Sequence, residues 1–189
     1  MIKAVVFDCF GVLTNDGWLG FKAHYLHDET VRDEAMALNH QADSGHISQE
    51  KFEQELARLA GVDEATVKRV VDGHTPNNEL FDYIGETLKP RYAIGLLSNV
   101  SADYTAELFT PQQNALFDAK TFSYELGVVK PHHAMYESIA AKLDALPEEC
   151  VFIDDREVFV TGAKEVGMQA IWYKDNQQLR DDLKALLNL

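Results

Sequence analysis

The hydrophobic residues of this chain fall into a few short, nearly continuous runs separated by longer stretches of mixed polarity. Four runs are rich in β-branched or aromatic residues and have the length of a strand, at residues 2–7, 92–97, 150–153 and 169–173. Such runs are typical of strands buried on both faces of a parallel sheet. A fifth, weaker strand is predicted near residues 121–123.

The stretches between these strands have hydrophobic residues at helical spacing. From about residue 17 to residue 88 the hydrophobic positions recur at helical spacing, and the pattern shows no convincing strand. The clearest helix follows Ser48, a residue suited to an N-cap, and ends at Gly61. Later helices are predicted at residues 102–109, 131–143, 162–166 and 176–187.

The order of these elements predicts the fold. Strands and helices alternate from residue 92 onward, which indicates a parallel sheet with right-handed crossovers. The first strand must join that sheet, because its buried backbone groups need partners. The helical stretch of about 70 residues is then an insertion, long enough to form a lid. We therefore predict an α/β fold, a Rossmann-like three-layer parallel sheet of residues 1–15 and 89–189 with a small helical cap at residues 16–88.

Composition and charge narrow the class of protein. The chain has 189 residues and a formal net charge of −14, which argues against nucleic acid or an anionic membrane as the main partner. No apolar run has membrane-spanning length and no signal-peptide pattern opens the chain, so we expect a cytoplasmic protein. Cys9 and Cys150 lie in apolar strand contexts and do not suggest a disulfide framework.

Polar residues follow three of the predicted strands, at the point where each strand ends. Asp8 follows the first strand, Ser98 and Asn99 follow the second, and Asp154 and Asp155 follow the strand at 150–153. The carboxyl ends of parallel strands meet at one edge of a sheet, where open α/β sheets place their chemistry. An Asp can also do no more than end a strand, so Asp8 taken alone leaves both interpretations open.

Four motifs occur along the chain in a fixed order. They are DCFGVL at 8–13, LSN at 97–99, GVVKP at 127–131, and FIDDR at 152–156 followed by Gly-Ala at 162–163. In this order and spacing they resemble the motifs of the haloacid dehalogenase-like hydrolase superfamily over essentially the whole chain. Within it, the likeness is greatest to small sugar-phosphate phosphatases. The resemblance implies that the helical insertion is a small helical cap.

The resemblance also implies roles for the motif residues. Asp8 would be the nucleophile, forming an aspartyl-phosphate intermediate that water then hydrolyses. Ser98 would donate a hydrogen bond to a phosphate oxygen, with support from Asn99. Lys130 would supply positive charge for Asp8 and the substrate anion. A carboxylate is a weak nucleophile, so its gain must come from positioning and charge neutralisation.

The adjacent acids Asp154 and Asp155 predict a metal site. Two carboxylates pointing into a site that already holds Asp8 would repel each other unless a cation lay among them. Mg²⁺ prefers oxygen ligands. We expect carboxylate oxygens of Asp8 and Asp154 and the main-chain carbonyl of Phe10 as ligands. Asp155 would be either a further ligand or a partner of Lys130, and we favour Asp154 as the direct ligand.

Phe10 is where the sequence departs from the family pattern. The family's phosphatases commonly carry a second Asp two residues beyond the nucleophile, and this Asp acts as general acid and base. A phenyl ring can do neither, and such help is worth about 10²- to 10⁴-fold in rate. Three options follow: a leaving group that needs little protonation, another donor such as Asp16, His24 or His27, or chemistry other than phosphoryl transfer.

These observations predict a Mg²⁺-dependent hydrolase that acts on a small phosphorylated metabolite. One alternative is a metal-independent dehalogenase, because such family members carry an aromatic residue at the Phe10 position. The other is a non-catalytic ligand-binding member. Trp18, Phe21, His24 and Tyr25 of the cap are expected to select the substrate, and the sequence leaves the oligomeric state open.

Overall fold

The computed structural model describes residues 1–71 and 73–187, and its centre is a five-stranded parallel sheet. The strands are β1 (Ala4–Phe7), β2 (Ala93–Ser98), β3 (Ala119–Phe122), β4 (Cys150–Asp154) and β5 (Gln169–Trp172). Their order across the sheet is β3-β2-β1-β4-β5. The predicted α/β fold is confirmed, and each of the five predicted strands is present.

The register of the central strands brings three motifs to one level. Phe7 of β1 lies opposite Leu96 of β2 on one side and Ile153 of β4 on the other. The next residues of these strands therefore emerge together at the carboxyl edge of the sheet. The main-chain N–H of Asp8 continues the ladder by donating to the carbonyl of Ile153 at 2.9 Å.

Helices occupy much of the described chain outside the strands, and they include two short ones, Pro111–Asn114 and Ser123–Leu126, that the periodicity did not predict. They are α1 (Gly17–Tyr25), α2 (Glu29–Asp43), α3 (Gln49–Ala60), α4 (Glu64–Val71), α5 (Asn78–Tyr83) with a π-helical turn (Ile84–Leu88), α6 (Thr105–Leu108), α7 (Pro111–Asn114), α8 (Ser123–Leu126), α9 (His133–Lys142), α10 (Glu157–Glu165) and α11 (Asn176–Leu187). A 3₁₀ turn (Pro147–Glu149) precedes β4. None of the helices in the two described ranges is both long and apolar enough to cross a bilayer.

Helix boundaries follow local capping chemistry. The hydroxyl of Ser48 accepts from the N–H of Lys51 at 3.2 Å, and α3 ends at Gly61 with φ +68°, as predicted. Helix α9 begins two residues later than expected, because the ring of His132 accepts from the N–H of Ala134 and caps it there. Pro131 therefore lies before the helix rather than in its first turn.

Within residues 1–71 and 73–187, the buried hydrophobic residues form three clusters. Two cover the faces of the sheet, and the third is built from α1 to α4, with Phe21, Phe52 and Leu56 among its buried members. Leu80 and Ile84, of α5 and the turn after it, belong to a sheet cluster instead. The helical stretch before α5 thus has a hydrophobic core of its own. The division into residues 1–15 with 89–189 and a cap of 16–88 stays a prediction.

Candidate functional site

A buried lysine joins two of the strand-end carboxylates. The Nζ atom of Lys130 lies 2.6 Å from Asp8 Oδ1 and 2.7 Å from Asp154 Oδ2, and it donates a longer bond of 3.3 Å to the carbonyl of Leu97. Lys130 is 2% exposed and Asp154 is fully buried. Burial in low dielectric strengthens these charge-assisted hydrogen bonds, and it makes the loss of the lysine costly, because two buried carboxylates would then lack their cation.

The charges of this cluster are strongly coupled. Burial, followed by the charge of Asp154, raises the pKa of the Asp8 carboxyl, although Lys130 acts in the opposite direction. Burial alone would lower the pKa of Lys130, but the charges of Asp154 and Asp8 outweigh it and raise the pKa. The lysine therefore stays charged, and its charge relieves part of the repulsion between the two acids.

Asp155 completes a group of three carboxylates. Asp8, Asp154 and Asp155 can each place one oxygen within 4.8 Å of the others. Burial and the charge of Asp154 raise the pKa of Asp155 to about 6. With three carboxylates and one ammonium, the group carries an excess of negative charge when all are ionised. That charge and the oxygen-only donor set fit a hard divalent cation.

The two adjacent acids differ in how their oxygens are used. Asp154 Oδ2 accepts from Lys130 Nζ, and its Oδ1 accepts from the N–H of Arg156 at 2.8 Å. Asp155 Oδ1 is buried and has no hydrogen-bond partner among the described residues. An unpartnered buried oxygen is costly unless something else binds it. Asp155 thus has an oxygen available to a cation, and the choice of Asp154 or Asp155 as the direct metal ligand stays a prediction.

Gly11 is needed for the approach of Asp155. It has φ +92°, a conformation that glycine adopts without penalty, and a Cβ at this position would overlap the Asp155 carboxylate. Its N–H donates to the carbonyl of Thr14 at 2.7 Å and closes the turn that follows Asp8. The glycine three residues after the nucleophile candidate thus has a steric role.

Ser98 and Asn99 have different environments although they are neighbours. Ser98 is 1% exposed, and its hydroxyl has no hydrogen-bond partner among the described residues. Asn99 instead holds the main chain of Lys130, accepting from its N–H at 2.8 Å and donating to its carbonyl at 3.3 Å. Ser98 therefore has an unused donor, whereas the side-chain amide of Asn99 is engaged in positioning Lys130.

Phe10 meets a histidine that the sequence analysis did not single out. Its ring lies 4.8 Å from the ring of His74, at the place where the chain leaves α4 and returns to the sheet. The His74 Nδ1 lies 3.3 Å from the carbonyl of Asn15. Burial lowers the pKa of His74. The wall of the site at Phe10 is therefore formed by two packed rings.

A cavity of about 310 Å³ lies between the strand ends and the cap helices. Its floor includes the site residues Asp8, Phe10, Asn99 and Lys130, whereas Ser98, Asp154 and Asp155 are not among its lining residues. The cap-side lining comprises Asp16, Trp18, Asn39, Asp43, Gln49, Phe52, Glu53, Val71 and His74. The rest of the wall comprises Val100, Ser101, Tyr104, Glu107, Leu108, Arg156 and Phe159. The volume suits a small metabolite.

The comparison with family models matches this arrangement. Residues 2–167 match the model of the haloacid dehalogenase-like hydrolases. The chain belongs to this family. The four motifs that suggested the resemblance all lie within the matched range; three of them lie at strand ends, and GVVKP lies in the loop before α9.

Relatives of this haloacid dehalogenase-like hydrolase are similar over their whole length. A D-ribitol-5-phosphate phosphatase of Bacteroides thetaiotaomicron is 25% identical over 206 aligned positions, which cover all of both chains. A predicted family hydrolase of Porphyromonas gingivalis is 29% identical, with TM-score 0.77 and coverage of 100% of this chain and 99% of that one. A B. thetaiotaomicron family enzyme, solved with magnesium and inorganic phosphate, has TM-score 0.72 at 21% identity, covering 95% and 99% of the two chains.

Sequence reasoning identified the polar residues of the sheet edge in this hydrolase but few of those on the cap side. Of the cap residues singled out, Asp16 and Trp18 line the cavity, whereas Phe21, His24, Tyr25 and His27 do not. Phe21 is instead buried in the cap core. Asn39, Asp43 and Gln49 were missed, because helical spacing alone does not say which face of α2 and α3 turns toward the sheet.

Proposed function

We propose that this protein is a Mg²⁺-dependent phosphatase that hydrolyses a small phosphorylated metabolite through an aspartyl-phosphate on Asp8. The observation that carries the proposal is the Asp8–Lys130–Asp154 cluster, with Asp8 and Lys130 at the floor of the cavity between the sheet and the cap. The phosphatase activity named for the 25% identical relative supports the same reaction class.

Four residues of the sheet edge would have different roles in this reaction. Asp8 attacks phosphorus, and its Oδ1 contact with Lys130 keeps the carboxylate fixed in orientation. Lys130 offsets negative charge on the transferred phosphoryl group, and Asn99 positions Lys130 through its main chain. Ser98 has a buried hydroxyl with no partner among the described residues, so it can donate to a phosphate oxygen.

Magnesium would be held by the three carboxylates together with the main-chain carbonyl of Phe10. The donor set fits, because it contains only oxygen atoms and includes the unpartnered buried Oδ1 of Asp155. When bound, the ion supplies positive charge that stabilises the transferred phosphoryl oxygens. The solved family enzyme from B. thetaiotaomicron, which contains magnesium and phosphate, supports this assignment.

The cap would determine which metabolite is accepted. Helices α1 to α4 have their own hydrophobic core and contribute about a third of the residues that line the cavity. We place the end of the cap near Thr75, since Asn77 and α5 pack with the sheet. Closure of this cap excludes water from the phosphoryl group during attack by Asp8.

Metal removal tests the proposal directly. We expect the protein, screened against phosphorylated metabolites, to release phosphate with Mg²⁺ present, and EDTA to lower kcat/KM by at least about 10²-fold, since a bound cation supplies several kcal/mol of charge stabilisation. Readdition of excess Mg²⁺ should restore the rate. Phosphate release that EDTA leaves unchanged would contradict the metal assignment.

The aromatic wall at Phe10 favours one second candidate, a dehalogenase. Attack of Asp8 on a carbon–halogen bond needs no proton donor, so the packed rings of Phe10 and His74 would not slow this reaction. Halide release from short haloacids in the presence of EDTA, without phosphate release from any ester, is the result expected of that activity. Raised thermal stability with phosphate or Mg²⁺, without turnover of either class, would instead indicate a non-catalytic member.

A further inference from the structure

The proposed reaction leaves one proton unassigned. When Asp8 displaces an alkoxide from phosphorus, that alkoxide needs a proton unless it is a very weak base. Phe10, which lines the cavity beside Asp8, carries no exchangeable proton. The cavity's other described lining residues with a carboxyl or imidazole group are Asp16, Asp43, Glu53, His74 and Glu107.

Two of these carboxylates are occupied by other contacts, and Glu107 is exposed to solvent. Asp16 caps α1 by accepting from the N–H of Leu19 at 3.0 Å. Glu53 pairs with Lys68 at 3.2 Å and accepts from Gln49 at 3.0 Å. Glu53 therefore has both of its carboxylate oxygens engaged, and Asp16 is engaged in capping its own helix.

Asp43, in contrast, lies where the cap meets the sheet side of the cavity. It is the last residue of α2, and its Oδ2 accepts from Asn39 Nδ2, one turn earlier, at 2.7 Å. Its main-chain carbonyl accepts from the hydroxyl of Ser123, which starts α8 on the sheet side. That same hydroxyl accepts from the N–H of Val100 at 2.8 Å, two residues beyond the end of β2. The carboxyl group is thus oriented by the cap, and the main chain of Asp43 is tied to the carboxyl edge of the sheet.

We propose that Asp43 is the general acid and base of this hydrolase, carrying out from the cap the proton transfers that Phe10 cannot. The inference rests on the proposed phosphatase function. In the first step the bond between phosphorus and the leaving oxygen breaks as the bond from Asp8 forms, and Asp43 gives its proton to the leaving oxygen. In the second step water attacks the aspartyl-phosphate, Asp43 takes a proton from that water, and Asp8 and phosphate separate.

The electrostatic surroundings of Asp43 suit both halves of this cycle. Burial raises its pKa to about 7, while the hydrogen bond from Asn39 and the charges of Lys130 and Arg156 act to lower it and Asp16 acts to raise it. A carboxyl that titrates near the working pH can give a proton in one step and accept one in the next. Proton donation requires the protonated form, so the rate with an alkyl phosphate should fall as pH rises through about 7.

The test compares leaving groups in one protein. We expect D43N to lower kcat/KM by about 10²-fold or more for a primary alkyl phosphate, and by no more than about threefold for 4-nitrophenyl phosphate, whose leaving group departs without a proton. The decline of the alkyl-phosphate rate above neutral pH should also disappear in D43N. The matched control is Glu107→Gln, which removes another cavity carboxylate and should leave the ratio of the two substrates unchanged.

Each outcome of this comparison decides the assignment. Equal losses on the two substrates with an unchanged pH profile would show a positioning or folding role and overturn the proposal, as would a D43N rate equal to that of the wild type. Selective loss of alkyl-phosphate turnover in His74→Gln, with D43N unaffected, would assign the proton to His74 instead. A wild-type protein that hydrolyses neither phosphate would refute the proposed function itself, which is a separate result.

Discussion

Replacing Asp8 with Asn is expected to lower phosphate-ester turnover by roughly 10⁴-fold or more. The amide is nearly isosteric with the carboxylate but is neutral and does not form a stable phosphorylated intermediate. Turnover of 4-nitrophenyl phosphate with Mg²⁺, followed by phosphate release, is the measurement. Because this substrate needs no proton donor, the result reports on the nucleophile alone. Full activity in the variant would rule out the mechanism.

The same substitution should not weaken the fold of the metal-free protein. Burial and the charge of Asp154 raise the pKa of Asp8, so above its unfolded pKa the folded state carries a cost for ionising it, and stability falls as pH rises toward the folded pKa. Asn removes that ionisation, while Lys130 keeps its contact with Asp154. We therefore expect an unchanged or higher melting temperature for D8N in EDTA at pH 8, where a lower one would contradict this argument.

Asp82→Asn is the matched control for both measurements. Asp82 lies on α5, is exposed and is not part of the cavity lining. The Asp82→Asn variant should have unchanged turnover and an unchanged melting temperature, since substitutions of exposed residues usually change stability by less than about 0.5 kcal/mol. A general loss caused by replacing an acid with an amide would appear in this variant too.

The sheet edge was predictable because it depends on short-range pattern. Buried strands that end in polar residues place those residues at one edge wherever the strands are parallel. The motif resemblance supplied what the pattern could not, namely that Lys130 reaches Asp8 although the two lie 122 residues apart. Secondary structure alone gives no such pairing, since the loop before α9 is not part of any regular element.

Which of Asp154 and Asp155 contacts Lys130 was not predictable from the sequence. The two residues have the same side chain, and the difference between them is which carboxylate meets Lys130 and the N–H of Arg156. That difference depends on how β4 ends and on where Gly11 leaves space. It is a property of three packed segments, and no single stretch of sequence contains it.

The cap side was hardest to predict for a related reason. Helices α2 and α3 present some residues to the cap core and others to the cavity, and both sets recur at helical spacing. Ser101 donates to Gln49 at 2.8 Å, and Ser123 donates to the carbonyl of Asp43. These contacts between the sheet side and the cap decide which helix face turns inward. The first links residues that are 52 positions apart in the sequence, and the second links residues that are 80 positions apart.

Replacing Lys130 with Met is expected to abolish phosphatase activity and to destabilise the metal-free protein by about 3–5 kcal/mol. The variant leaves Asp8 and Asp154 buried beside each other without the ammonium that now joins them at 2.6 and 2.7 Å. Chemical denaturation in EDTA at neutral pH measures the loss. Lys142→Met is the matched control, since Lys142 pairs with Glu125 at 3.1 Å on the surface and should cost about 1 kcal/mol or less.

The pH dependence of the Lys130→Met loss identifies its cause. If the loss is repulsion between buried carboxylates, it must shrink as pH falls, because a carboxyl whose pKa is raised takes up a proton on folding and so contributes stability at low pH. Burial raises the pKa of Asp8 even with Lys130 present, and removing that positive charge raises it further. Added Mg²⁺ should recover part of the stability at neutral pH through the same carboxylates. A loss that is independent of both pH and Mg²⁺ would show that Lys130 acts by filling space among Phe152 and Phe159, whose rings lie 5.3 and 4.9 Å from its Nζ, rather than by its charge.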